Sequence, residues 1–128
     1  MTAEFTERRR SIRLPLTLSI SGKTVEGLFR NHSFAGETED ISFNGLCINV
    51  NVPNGFSRDK RIKFKTQLYR GDFLLKATGV VRWVDTQHNP EGPIRMGVEL
   101  AKIGHYRHWR ERIEEGLHRS DQRKFPLS

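Results

Sequence analysis

Apolar residues fall at every second position in one short segment of this chain after another. Leu14, Leu16, Leu18 and Ile20 alternate with polar residues and Pro15; Leu46, Ile48, Val50 and Val52 do the same further on. In Arg61-Ile-Lys-Phe-Lys-Thr, Ile62 and Phe64 face one way, with Thr66 beside them, and the lysines face the other. Alternation with period two is the mark of a strand with one buried face. Turn chemistry punctuates the segments at Ser21-Gly22, Asn44-Gly45, Pro53-Asn54-Gly55, Gly71-Asp72 and Asn89 to Pro93. Many short strands at this spacing predict a closed or sandwiched antiparallel β-structure, and closure removes the exposed edges that so many strands would otherwise present. In chain order the reading is a first strand from Leu14 to Ile20, with Pro15 at its start or at an edge. A turn at Ser21-Gly22 and a return strand from Thr24 to Phe29 follow, then a polar loop from Arg30 to Gly36. Glu37 to Ile41, Leu46 to Val52, Phe73 to Val84 and Ile94 to Leu100 complete the β-rich part.

The period then changes. Tyr106, Trp109, Ile113 and Leu117 recur at steps of three and four among charged residues, which predicts an amphipathic helix from Tyr106 to His118. Its apolar stripe is expected to cap an open end of the barrel rather than to dock a partner. Beyond Arg119 the chain is polar, with Pro126 near its end, and a frayed tail is expected. Residues 1 to 13 read as an arm outside the core, ending in four arginines within six positions. Length places all of this in one domain: arm 1–13, barrel 14–101, helix 102–119 and tail 120–128. A single cysteine, Cys47, excludes an intramolecular disulfide and fits a reducing compartment. No secretory leader or membrane span is visible in the sequence. The formal charge of +7 and a pI near 10.1 point to an anionic partner such as a nucleotide, a nucleic acid or an anionic lipid. A solvated basic surface accounts for the same numbers.

Asp40-Ile41-Ser42-Phe43-Asn44-Gly45 holds the least ordinary chemistry. A carboxylate, a hydroxyl and a glycine stand in the pattern D-x-S-x-x-G just ahead of a strand. Asn44-Gly45 is a favoured turn dipeptide because both residues tolerate positive φ. A capped turn is the plain reading. The cluster Arg8-Arg9-Arg10-Ser11-Ile12-Arg13 upstream adds to it, since a carboxylate, turn amides and guanidinium forks are the groups that read a guanine edge and its phosphates.

R-x-x-x-R at Arg9 and Arg13, followed 27 positions later by D-x-S-x-x-G at Asp40, Ser42 and Gly45, resembles the PilZ domain family. Arg95-Met-Gly-Val-Glu-Leu100 is similar to that family's closing strand, with Leu100 where phenylalanine is usual. The resemblance implies a six-stranded antiparallel β-barrel that binds the bacterial second messenger cyclic di-GMP. It implies that Arg9 and Arg13, on a flexible segment, fold over the ligand and reach guanine Hoogsteen edges and phosphate oxygens. Asp40 is then expected to accept from guanine N1–H or N2–H₂, with Ser42 bonding nearby and Gly45 leaving room for close approach. An arginine at the position of Arg8 goes in this family with a stacked, intercalated ligand dimer, so two ligands per chain are expected. Arg10 is expected to be solvated, and Arg95 is a further candidate from the last strand. The implied function is a non-enzymatic receptor in the bacterial cytoplasm, or on the cytoplasmic face of a larger membrane protein. Ordering of its arm would pass the signal to a downstream protein or parent chain.

Other chemistry has less support in the residues. His105 and His108 stand three apart, but no cysteine or carboxylate set completes a tetrahedral metal site with them. Cys47 reads as a packed thiol. Glu37, Glu39 and Asp40 could supply acid–base chemistry, yet alternation along a strand puts only Glu37 and Glu39 on one face. No nucleophile elbow, phosphate loop or dinucleotide signature is present, so no catalytic residue is expected. Trp83 reads as core or barrel wall rather than a stacking platform. The basic string from Arg58 to Lys65 could touch nucleic acid, or simply keep a strand's outer face solvated. A small basic barrel binding RNA or DNA, and a ligand-free scaffold of the same fold, are the rival readings.

Overall fold

The structure, a computed structural model, describes residues 12–25, 32–51, 56–85 and 93–124. Its strands are β1 (Leu14–Pro15), β2 (Ser19–Val25), β3 (Ser33–Ser42), β4 (Gly45–Val50), β5 (Arg61–Gln67), β6 (Leu74–Asp85) and β7 (Ile94–Ile103), and one helix, α1 (Tyr106–Lys124), follows them. All neighbouring strands pair antiparallel, in the order β1-β3-β2-β5-β6-β7-β4, and a further pairing of β3 with β4 closes the ring. The result is a six-stranded barrel with the two-residue β1 laid outside it on β3. This is the closed antiparallel architecture expected from the period-two pattern.

The alternating residues fill the barrel as that pattern requires. Ile20, Phe34, Ile41, Leu46, Ile48, Ile62, Phe64, Leu75, Val81, Met96 and Val98 are all buried in one cluster. Trp109 and Ile113 of α1 join the same cluster and are fully buried, so the helix does plug the barrel. Three further ties hold it. Tyr69 Oη donates to Glu115 Oε2 at 2.6 Å, Arg112 Nε donates to the Leu68 carbonyl at 3.2 Å, and Gly116 lies where a methyl group would overlap the Leu14 side chain.

The structure corrects several local expectations. The segment Leu14 to Ile20 is not one strand, because Leu16 to Leu18 leave the ladder between β1 and β2. Ser21-Gly22 is not a turn: β2 runs straight through it, pairing with β3 on one side and β5 on the other. Gly22 is there because a Cβ would overlap the Lys63 carbonyl oxygen, a close cross-strand approach rather than a bend. The last residues of the expected Arg30–Gly36 loop belong to β3, which begins at Ser33. Tyr106 is not part of the buried stripe, being 43% exposed. The helix also does not stop near residue 118 but continues to Lys124, two residues short of Pro126.

Candidate functional site

The D-x-S-x-x-G motif is the β3–β4 hairpin. Ser42 pairs with Gly45 across a two-residue loop of Phe43 and Asn44, and Asp40 pairs with Cys47. Neither Asn44 nor Gly45 adopts a positive φ; among the described residues only Asp59, Gly71 and His105 do. The expectation of a left-handed Asn-Gly turn is therefore corrected. What the glycine supplies is space, since a Cβ on Gly45 would stand 2.9 Å from the Val98 carbonyl oxygen. Ser42 is buried, and its hydroxyl donates to the Gly45 carbonyl at 3.2 Å. From the other side Trp109 Nε1 donates to the Ser42 carbonyl at 3.0 Å, and the Arg110 guanidinium lies over the Phe43 ring at 5.1 Å. The Leu100 amide donates to the Asn44 carbonyl at 2.9 Å. Serine, glycine and tryptophan thus fix the hairpin, and the helix that plugs the barrel is what braces it.

Asp40 gains its position from an irregularity in β3. Thr38 pairs with Ile48 and Asp40 with Cys47, so Glu39 is an extra residue bulged out of the ladder. Thr38 and Ile41 point inward and are buried, while Glu39 and Asp40 both remain on the outer wall. The expectation that only Glu37 and Glu39 share a face is corrected for this reason: a bulge cancels one step of the alternation. Its effect is to aim two adjacent carboxylates at the same patch. Arg13 Nη1 donates to Asp40 Oδ1 at 2.7 Å, joining the last arginine of the arm to the first residue of the hairpin motif. Arg95 Nε donates to Glu39 Oε2 at 2.8 Å, and its guanidinium lies over the Trp83 ring at 5.2 Å. Trp83 covers Gly97, where a Cβ would overlap the indole, and so lies on the outside of the barrel wall.

Electrostatics follow from these contacts. The hydrogen bond from Arg95, and then that from Cys47, hold the Glu39 carboxyl below the usual glutamate value. Burial pushes the Cys47 thiol up to about 12, with the neighbouring Glu39 carboxylate adding to the effect. Cys47 Sγ is therefore a neutral donor to Glu39 Oε2, at 3.3 Å. Glu39, Asp40 and Cys47 have ligand atoms within 4.8 Å of one another, a spacing a metal ion could bridge. Both carboxylates already face arginines, however, and the thiol keeps its proton, so the set is poorly suited to a cation. His108, the other candidate ligand, bonds Asp72 at 2.7 Å and stacks on Phe73.

Of the residues singled out from sequence, the structure joins Arg13 directly to Asp40, pairs Ser42 with Gly45 two residues further along the same hairpin, and ties Arg95 to β3 through Glu39, the neighbour of Asp40. Arg8, Arg9 and Arg10 lie outside the described residues. Sequence reasoning missed Glu39 as the link from Arg95 to the motif, and Trp109 as the brace behind Ser42. Trp109 was visible as the strongest member of the helix stripe. The bulge has no signal of its own, because it exists only relative to β4.

A closed antiparallel barrel, plugged by a C-terminal helix and carrying two carboxylates on a braced hairpin with an arginine against each, defines a class of small β-barrel domain with a polar site on its outer wall. The PilZ domain family profile matches residues 7–115, and the chain belongs to that family. No curated protein sequence matches it. Among solved structures it is similar to the PilZ domain with c-di-GMP of YcgR from Escherichia coli, with 12% identity, a TM-score of 0.63, and coverage of 94% of this chain and 99% of that one. It is also similar to the Bacillus subtilis inhibitor of motility MotI/DgrA, with 14% identity and a TM-score of 0.64 over 88% of this chain. The chain spans about half of that protein, 51% of its length. At these identities the likeness shows the fold.

Proposed function

We propose that this chain is a receptor domain for cyclic di-GMP, bound on the β3–β4–β7 wall by Arg8, Arg9, Arg13, Asp40 and the hairpin that Ser42 and Gly45 shape, with Arg95 at its margin. The observation that carries the reading is the contact of Arg13 with Asp40, two halves of a split motif that the fold brings together. The chemistry of that contact fits the ligand. The N1–H and N2–H₂ edge of guanine is a guanidine-like fork, so a guanine can take the place that the Arg13 guanidinium holds at Asp40. Displaced, Arg13 is free to meet a phosphate or a guanine O6/N7 edge, beside Arg9. Binding is then an exchange of charged hydrogen bonds. It pulls the arm toward the ligand, and ordering of the arm is the signal, a disorder-to-order switch of the kind used in regulation. Membership in the PilZ family and the likeness to a c-di-GMP-bound domain support the ligand class. A second ligand stacked against the first is the role we assign to Arg8.

Receptor rather than catalyst is the reading that suits these groups, since the carboxylates of the site are both tied to arginines. No helix among the described residues is long and apolar enough to cross a membrane, and the bacterial cytoplasm is the compartment where this ligand would be met. Hydrogen exchange tests the switch. Amides of residues 8 to 13 should gain protection when cyclic di-GMP is added, and equal protection with and without it would refute the proposed signalling step. In an Arg9→Ala variant, binding at micromolar ligand should be lost.

A further inference from the structure

The outer wall across the barrel from this site, made by β2, β5, β6 and the end of β7, carries five lysines. Register sets them in two rows: Lys65 pairs with Lys76, while Lys23 pairs with Lys63, Lys63 with Thr78, and Thr78 with Lys102. All five are exposed, and all line one open depression of about 760 Å³. No ion pair joins any of the five to another described residue, whereas Arg13, Arg82, Arg95, Arg110 and Arg119 each face a carboxylate. The outward positions of β2 and β5, and those of β6 from Leu74 to Val80, hold no aspartate or glutamate. Lysines on strands often guard a free edge, but β5 is paired on both sides within a closed barrel and has none. A concentration of like charge raises the energy of the folded chain and lowers it when a polyanion is present.

A second feature adjoins this wall. Leu74 precedes Lys76 by two residues on the same outer face, about 7 Å away along the strand. Leu74 and its neighbour Phe73 are 55% and 47% exposed at the tip of the β5–β6 hairpin. The Gly104 amide bonds the Lys76 carbonyl at 2.9 Å, which brings the start of α1 and the exposed Tyr106 to the same end. Surfaces that grip single-stranded nucleic acid interleave stacking rings among their cations. Here the exposed apolar groups stand together at one end instead, and the two rings that line the wall, Phe34 and Phe64, are buried and offer no face to stack on. Lysine ammoniums over headgroup phosphates, with an apolar tip and a tyrosine at the glycerol level, are the arrangement that suits a lipid surface.

We infer that the β2–β5–β6 wall docks this domain on an anionic phospholipid bilayer, the lysines against the headgroups and the Phe73–Leu74 tip in the interface. The opposite wall stays open to solvent in that orientation, so the inference stands whether or not that wall binds a nucleotide. Vesicle flotation of the full chain tests it, with phosphatidylcholine alone against phosphatidylcholine mixed with phosphatidylglycerol, at about 0.1 M salt where surface charges still act over about 10 Å. The chain should float with the mixed vesicles only. Each lysine near an anionic surface contributes about fivefold to partitioning, so Lys63→Glu with Lys65→Glu should lower it by about 25-fold or more. Neutralising a second pair, Lys76→Gln with Lys102→Gln, should repeat the loss, and Leu74→Ser should weaken binding severalfold. Unchanged melting temperatures in these exposed-site variants would show that the loss is not one of folding. Equal flotation on neutral vesicles, no flotation of the wild type, or full binding by both lysine variants would overturn the inference. So would a short DNA duplex that strips the chain from vesicles at equal phosphate, which would assign the wall to nucleic acid.

Discussion

Replacing Asp40 by alanine should separate stability from binding. The Arg13–Asp40 pair is close, at 2.7 Å, but the arginine side chain is 51% exposed and the aspartate 23%. An ion pair so open to water is worth about 0–1 kcal/mol, since solvent screens the attraction and two side chains are held still to make it. For a chain of this size a loss of about 1 kcal/mol lowers the melting temperature by about 3–5 °C, so Asp40→Ala should melt within that margin of the wild type. Ligand affinity is a different matter. Once a guanine covers the aspartate, water is excluded, and removing one partner of a desolvated charged contact costs about 2–5 kcal/mol. That corresponds to about 30-fold or more in dissociation constant. Thermal melts and calorimetric titrations with cyclic di-GMP on wild type, Arg13→Ala, Asp40→Ala and the double variant supply the full cycle. The two groups should couple weakly in the ligand-free chain, and their effects on affinity should be close to additive, because in the complex each holds the ligand through its own contact. A melting temperature lowered by more than about 10 °C, with affinity intact, would make the pair a structural clasp and refute the reasoning.

Three further outcomes follow from the same geometry. Gly45→Ala should cost about 1–3 kcal/mol in urea unfolding, as crowding of a packed site does, because its Cβ would meet the Val98 carbonyl at 2.9 Å; an unchanged midpoint would show that the strands can part freely there. Cys47, with its thiol pushed up to about 12, should react with a disulfide reagent at pH 8 about a thousandfold more slowly in the native chain than in the unfolded one. Similar rates in both states would mean that the thiol is neither buried nor bonded to Glu39. Because Arg95 depresses the carboxyl of Glu39, the native state favours its charged form. That contribution is complete above the ordinary glutamate range and fades as pH falls through the lowered native value. Glu39→Gln should therefore flatten the fall in stability between pH 5 and about pH 3, and a variant curve parallel to the wild type would contradict the Arg95 contact.

Much of this was legible in the chain because it depends on local pattern. Ile62, Phe64 and Thr66 point inward and Lys63 and Lys65 outward as alternation demands. Trp109 and Ile113 sit where helical spacing puts them. The features that were not legible are properties of neighbours. Gly22 looks like a turn residue until Lys63 is seen against it, and the bulge at Glu39 is invisible until β4 is laid beside β3. In the same way the Asn-Gly pair suggested a left-handed turn, when the Val98 carbonyl was the reason for its glycine. The helix ran past its expected end because nothing from Ser120 to Lys124 is glycine or proline. For the site, residue types and order pointed to Arg13 and Asp40, and the fold supplied their meeting.

The most direct test of the account is an isothermal titration of the purified chain with cyclic di-GMP, with GTP and GMP as controls. Saturable binding of the cyclic dinucleotide alone is predicted, near two ligands per chain if Arg8 completes a stacked pair, and one if it does not. No heat and no competition at about 50 µM ligand, where an interaction of even about 6 kcal/mol would register, would contradict the receptor reading.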